Sequence, residues 1–192
     1  MRTAIGDSLA ERNLLWVGLL TAASVVLSGV YACATPFAAL ATLAALDIER
    51  RDGLVLVGAI WLANQIVGFV FLGYPHELQA YAWGLAIGAG AVAAYLVARW
   101  SLAAVSPRRS VLAVAAALVA AFIAYEGVLY AASFVLPGGA SAFSLEIVGQ
   151  IAATNAVAFA VLLVAHRIAV AAGVARRNVV EASGTLPAPQ QA

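Results

Sequence analysis

The sequence predicts an all-α integral membrane bundle of six transmembrane helices, the second one short, with both termini cytoplasmic. Three observations lead there. Of 192 residues, 65% are hydrophobic and only 10% are charged, whereas soluble domains carry about 25% charge. The apolar residues fall into runs of spanning length, and the arginines alternate with those runs. The chain has room for about six crossings of about 20 residues each, which leaves no space for a separate catalytic domain.

The apolar runs cover residues 14–46, 54–73, 78–98, 111–136 and 145 to about 172. Four of them match a single crossing. As one helix the first would measure roughly 50 Å at 1.5 Å per residue, too long for a hydrocarbon core of about 30 Å. Thr35-Pro36 is the natural break, because proline removes a backbone donor and disfavours helix in the residue before it. Segment one then ends near residue 34, and segment two returns through a short piece, residues 37–46, tilted or partly re-entrant.

The arginines test this folding of the chain, since short cytoplasmic loops collect basic residues. All ten basic residues are arginine. They lie at Arg2 and Arg12, Arg50 and Arg51, Arg99 with Arg108 and Arg109, and Arg167 with Arg176 and Arg177. The loops at 73–77 and 137–146 contain none. Two passes in the first run put every arginine inside and both arginine-free loops outside. One pass would place Arg2 and Arg12 opposite Arg50 and Arg51. Residues 1–13 are therefore expected as a cytoplasmic N-terminus, 14–175 as the six-helix domain and 176–192 as a disordered cytoplasmic tail. A competing reading takes residues 1–34 as a signal peptide, because Ala32-Cys33-Ala34 has the form of a cleavage site. That reading leaves only a half-length crossing behind the cut.

Polar groups inside a bilayer are costly and face a cavity or another helix, so their depth carries information. Asn64 and Gln65 fall about 15 Å along segment three. Glu126, with Tyr125 and Tyr130, lies in the outer third of segment five, while Asn155 falls near the middle of segment six. Tyr31, Cys33 and Thr35 close segment one on the outer side, and His76 sits in the first outer loop. These side chains gather in the outer half, which suits an outward-facing pocket better than a channel lining the full thickness. The expected substrate-binding residues are Tyr31, Cys33, Asn64, Gln65, His76, Glu126 and Asn155. The bland readings are interhelical amide bonds for Asn64 and Gln65, a small buried hydrophobe for Cys33, and interface belts for Tyr74, Tyr81, Trp83 and Trp100. Cys33 and His76 are too few for a closed metal site, yet both can contact a metal that a ligand holds.

Small residues recur at helical spacing: Gly84 and Gly88, the series Ala82, Ala86, Gly90, Ala94 and Ala98, and Gly18 with Ala22. Such faces let helices approach closely, or dock another membrane subunit. No Walker lysine, HExxH, GxSxG or CxxC motif is present, so self-contained ATP hydrolysis is excluded and nucleophilic catalysis lacks support. A net charge of +1 offers no basic face for nucleic acid, and no cofactor is called for.

Six spans in under 200 residues, cytoplasmic ends, a short second segment, alanine-rich faces and a polar outer pocket resemble the substrate-binding S component of energy-coupling-factor vitamin transporters. The resemblance is architectural and covers roughly residues 12–175. It implies capture of a small vitamin-like solute from outside and a membrane coupling subunit with ATPases as partner, the Gly18/Ala22 face being similar to the docking face. The cobalamin-type branch uses a membrane cysteine toward the corrin cobalt, which would give that role to Cys33 and make cobalamin or a precursor the ligand. Heavy use of alanine and arginine with no lysine points to a bacterial inner membrane. The alternative is a non-catalytic membrane anchor or assembly subunit of a larger complex, with the small-residue faces as its working surfaces. A membrane enzyme using Glu126 as acid or base ranks behind both.

Overall fold

The structure, a computed structural model, describes residues 35–105 and 110–171, and among these every regular element is helical. In chain order they are α1 (Phe37–Asp47), α2 (Arg50–Ile66) continuing as a π-helical stretch (Val67–Phe71), α3 (Leu78–Ala104), α4 (Val111–Ser133), a 3₁₀ turn (Ala140–Phe143) and α5 (Leu145–Ala171). Among the described residues four helices are long and apolar enough to cross a membrane: Arg50–Phe71, Leu78–Ala104, Val111–Ser133 and Leu145–Ala165. The expected first segment, with Tyr31 and Cys33, lies outside the described residues.

The eleven residues of α1 make only about 16 Å of helix, half a crossing. The helix begins directly after Pro36, where the sequence predicts the break. It is the centre of the molecule: Phe37 to Ala41, Leu43 and Ala44 are each at most 3% exposed. The composition explains this, since a helix apolar on all sides is a buried one. Its five alanines let α2, α3, α4 and α5 close around it. Thr42, the one hydroxyl along its length, is fully buried and satisfied locally, donating to Ala38 O at 2.8 Å.

The long helices pack through small residues. On α4, Ala113, Ala117, Ala121 and Tyr125 are buried at four-residue steps, and Gly90, Ala94 and Ala98 on α3 are buried at the same step. A Cβ on Gly90 would stand 3.0 Å from the Tyr125 ring, so these two stripes face each other in the antiparallel pair. Gly84 and Gly88, by contrast, take side chains rather than a helix backbone. Trp61 of α2 lies against Gly88 and donates its indole N–H to Gly84 O at 2.8 Å, and Gln65 covers Gly84.

Two opposite ends of the bundle follow from the connections. At one, Arg99 donates to Ile48 O at 2.7 Å and the Tyr95 hydroxyl reaches Glu49 O and Arg50 O at 3.4 and 3.3 Å. Arg99 thereby serves the carbonyl just past the C-terminus of α1, where a cation is favoured. At the other, Gln79 and Trp83 both donate to Pro137 O, at 2.9 and 3.1 Å, and Gly139 lies under the Trp83 ring. Trp83 thus ties α3 to the loop at Pro137 instead of merely marking an interface.

Candidate functional site

The start of α1 inside the bundle creates a polar problem. A helix leaves its first N–H groups without intrahelical partners, and here they open in an apolar interior. Phe37 N–H donates to Thr35 O at 2.8 Å, and Leu40 N–H to Pro36 O at 3.1 Å. Ala39 N–H occupies the position that an N-cap side chain usually serves, but the N-cap residue is Pro36, which has no side-chain acceptor. Asn155 supplies one from α5: its Oδ1 accepts from Ala39 N–H at 3.1 Å while Nδ2 donates to Ile151 O at 3.0 Å. Asn155 is 3% exposed.

Asn64 meets the same break from the α2 side, its Oδ1 accepting from the Thr35 hydroxyl at 2.6 Å. Thr35 is buried too. The structure therefore brings Asn64 and Asn155 together around one feature, the first residues of α1, although the two amides lie far apart in sequence. Thr35 belongs to this group and is missing from the expected site. Its signal was its place beside the chain-breaking proline.

Glu126 lies at the same level. Its neighbour Tyr125 stacks on Phe37, the first residue of α1, with ring centroids 5.7 Å apart. Among the described residues, Glu126 Oε1 is a buried side-chain oxygen without a hydrogen-bond partner. A carboxyl group in such surroundings calls for a donor or a cation.

The remaining expected residues lie elsewhere. Gln65 is one residue from Asn64, about 100° around the helix, and so faces the α2–α3 seam at Gly84. His76 is exposed in the loop at the Pro137 end. Its Nδ1 shares a 2.8 Å hydrogen bond with the Tyr81 hydroxyl, and its ring packs on Phe69, which also stacks on Tyr81. This aromatic cluster is built on the π-helical stretch and the turn after it, where Gly73 adopts φ +69° and Tyr74 folds back over Gly68. Among the described residues, no group of three His, Cys, Asp or Glu could hold a metal ion.

The polar layer thus comprises Thr35, Asn64 and Asn155, closed by hydrogen bonds, while Glu126, one residue on from Tyr125 along α4, carries an open acceptor. From Asn64 to Phe71 at the Pro137 end is seven residues, about 10 Å, against about 21 Å back to Arg50. The layer is displaced toward the end that carries no arginine among the described residues. No protein-family model matches the chain, and neither a curated protein nor a solved structure is significantly similar to it.

Proposed function

We propose that this chain is a membrane substrate-binding protein that takes a small polar solute at the level of the α1 break, with Glu126 as the group that recognises it. The observation that carries this reading is the buried Glu126 oxygen with no partner, one residue on from the Tyr125 that stacks on the first residue of α1. Discontinuous helices recur at the binding sites of membrane transporters because their exposed backbone ends and nearby polar side chains can line a cavity there. The solute should present a hydrogen-bond donor or a positive charge to the carboxyl group. By the bias of basic residues toward the cytoplasm, the Arg50 end faces inward and the site faces out, in a bacterial inner membrane. In this reading the chain acts as an S component does, delivering a vitamin-like solute with a separate coupling subunit and its ATPases. Cobalamin or a precursor is the ligand to try first, with Cys33 as its contact.

The test is mass spectrometry of small molecules that co-purify with the full chain, followed by direct binding of cobalamins, their precursors and other vitamins. Glu126→Gln keeps the size and shape of the side chain and replaces one acceptor oxygen of the carboxyl group by an amide donor. It should weaken binding by about tenfold, the loss of one charge-assisted hydrogen bond, at unchanged melting temperature. Absence of affinity for every vitamin tested removes the transport reading.

A second reading, an anchor or assembly subunit, is favoured by one specific observation: Asn64 and Asn155 spend their acceptors on holding α1. An anchor that folds should tolerate substitution of Glu126, Asn64 and Cys33 without losing any ligand, whereas a solute binder should not.

A further inference from the structure

A groove of about 510 Å³ runs along the flank of the bundle between α2 and α3. Val57, Gly58 and Trp61 form one wall, and α3 from Leu85 to Leu96 forms the other. The lining side chains are apolar, and the one polar atom among them, the Trp61 indole nitrogen, is already committed to Gly84 O. Nothing in the groove could orient a polar solute.

Its dimensions point to a lipid chain. From Arg51, at the start of α2, to Trp61 in the groove is ten residues, about 15 Å along the helix, one leaflet's share of a hydrocarbon core of about 30 Å. The helix faces that form the groove continue toward the Arg50 end. Arg51 lies seven residues before Gly58, two turns along the same face of α2, and Trp100 lies four residues after Leu96 on α3. Arg51 and Trp100 are both exposed, Trp100 at 73%. Among the described residues no ion pair engages Arg51, and Asp52 sits in the first turn of α2, on a different face. A cation without an ion pair thus stands two turns beyond the apolar trough on its α2 wall, and an indole one turn beyond it on α3, at the level where tryptophans meet headgroups.

We infer that this groove is a binding site for an anionic phospholipid, one acyl chain lying along Gly58 and Trp61 and the phosphate meeting the Arg51 guanidinium. A transmembrane helix from a second copy fits less well, because it would require a full crossing rather than half of one and would leave Arg51 without an anion. The inference does not involve Glu126 and stands apart from the solute site.

The experiment is native mass spectrometry of the full chain in detergent with an equimolar mixture of phosphatidylglycerol and phosphatidylcholine. Retention of phosphatidylglycerol should exceed that of phosphatidylcholine by about fivefold, the worth of one arginine near an anionic headgroup. Arg51→Ala should retain the two lipids equally. Gly58→Leu fills the trough and should retain neither. A Cβ at Gly58 meets nothing within 4 Å, so this variant keeps its interior contacts, and an unchanged melting temperature verifies its fold. As a second readout, phosphatidylglycerol with brominated acyl chains should quench Trp61 in the wild type and not in Gly58→Leu. Equal retention of both lipids by the wild type, lipid retained by folded Gly58→Leu, or a lipid-free dimer each overturns the proposal.

Discussion

Asn155→Leu is expected to destabilise the protein by about 1–3 kcal/mol, the cost of stranding a buried donor, read as a lower melting temperature of the purified chain. The stranded group is Ala39 N–H, whose acceptor is Asn155 Oδ1. The N-cap residue, Pro36, offers no side-chain acceptor, and leucine in place of Asn155, which is 3% exposed, fills the space without supplying one. The Thr35–Asn64 bond provides the contrast. Interhelical side-chain bonds in membranes average only about 0.6 kcal/mol, and replacing both partners by apolar groups of similar shape can be nearly neutral. The double variant Thr35→Val/Asn64→Leu should therefore cost less than Asn155→Leu alone. If the double variant proves the more damaging, Asn155 is not the residue that completes the start of α1.

This contrast also separates what the sequence disclosed from what it concealed. The start of a short helix directly after Pro36 was legible, because proline's effect on its neighbours is local. Legible too was the grouping of Arg50, Arg51 and Arg99 at one end, since loop charge needs no knowledge of packing. Which side chains meet was not legible. The helices are apolar nearly all round, so periodicity does not say which face turns inward. Asn155 and Ala39 are 116 residues apart, and only the central position of α1 brings them together. The same gap separates Asn64 from Gln65: adjacent in sequence, they face different neighbours. His76 looked like a pocket residue by depth alone, yet Phe69 and Tyr81 hold it in a surface cluster. Gly84 and Gly88 show the limit of the small-residue rule, since spacing reveals that something approaches closely and not that a tryptophan does.

Gly53→Ala should destabilise by about 1–3 kcal/mol, the usual range for overpacking a filled core, against an intrinsic helix preference of up to about 1 kcal/mol in favour of alanine. Its added methyl would overlap the hydroxyl end of Tyr95. Tyr95 has little room to swing aside, being fully buried, with its one hydroxyl proton shared between the Glu49 and Arg50 carbonyls. The hydroxyl also accepts from Arg99 Nη1 at 3.3 Å, the nitrogen that donates to Ile48 O, and the guanidinium lies 5.8 Å over the Tyr95 ring. Displacing the ring therefore loosens the group that closes the far end of α1. Gly58→Ala is the matched control: it gains the same helix preference, meets nothing within 4 Å, and should be neutral or stabilising. Combining Gly53→Ala with Tyr95→Leu should cost less than the sum of the two single changes, because the clash disappears with the ring. Thermal unfolding of the five proteins, wild type included, decides the matter. Equal stability of Gly53→Ala and Gly58→Ala would show that Tyr95 does not fill the space beside Gly53, and that α1 is held at its Arg99 end by some other contact.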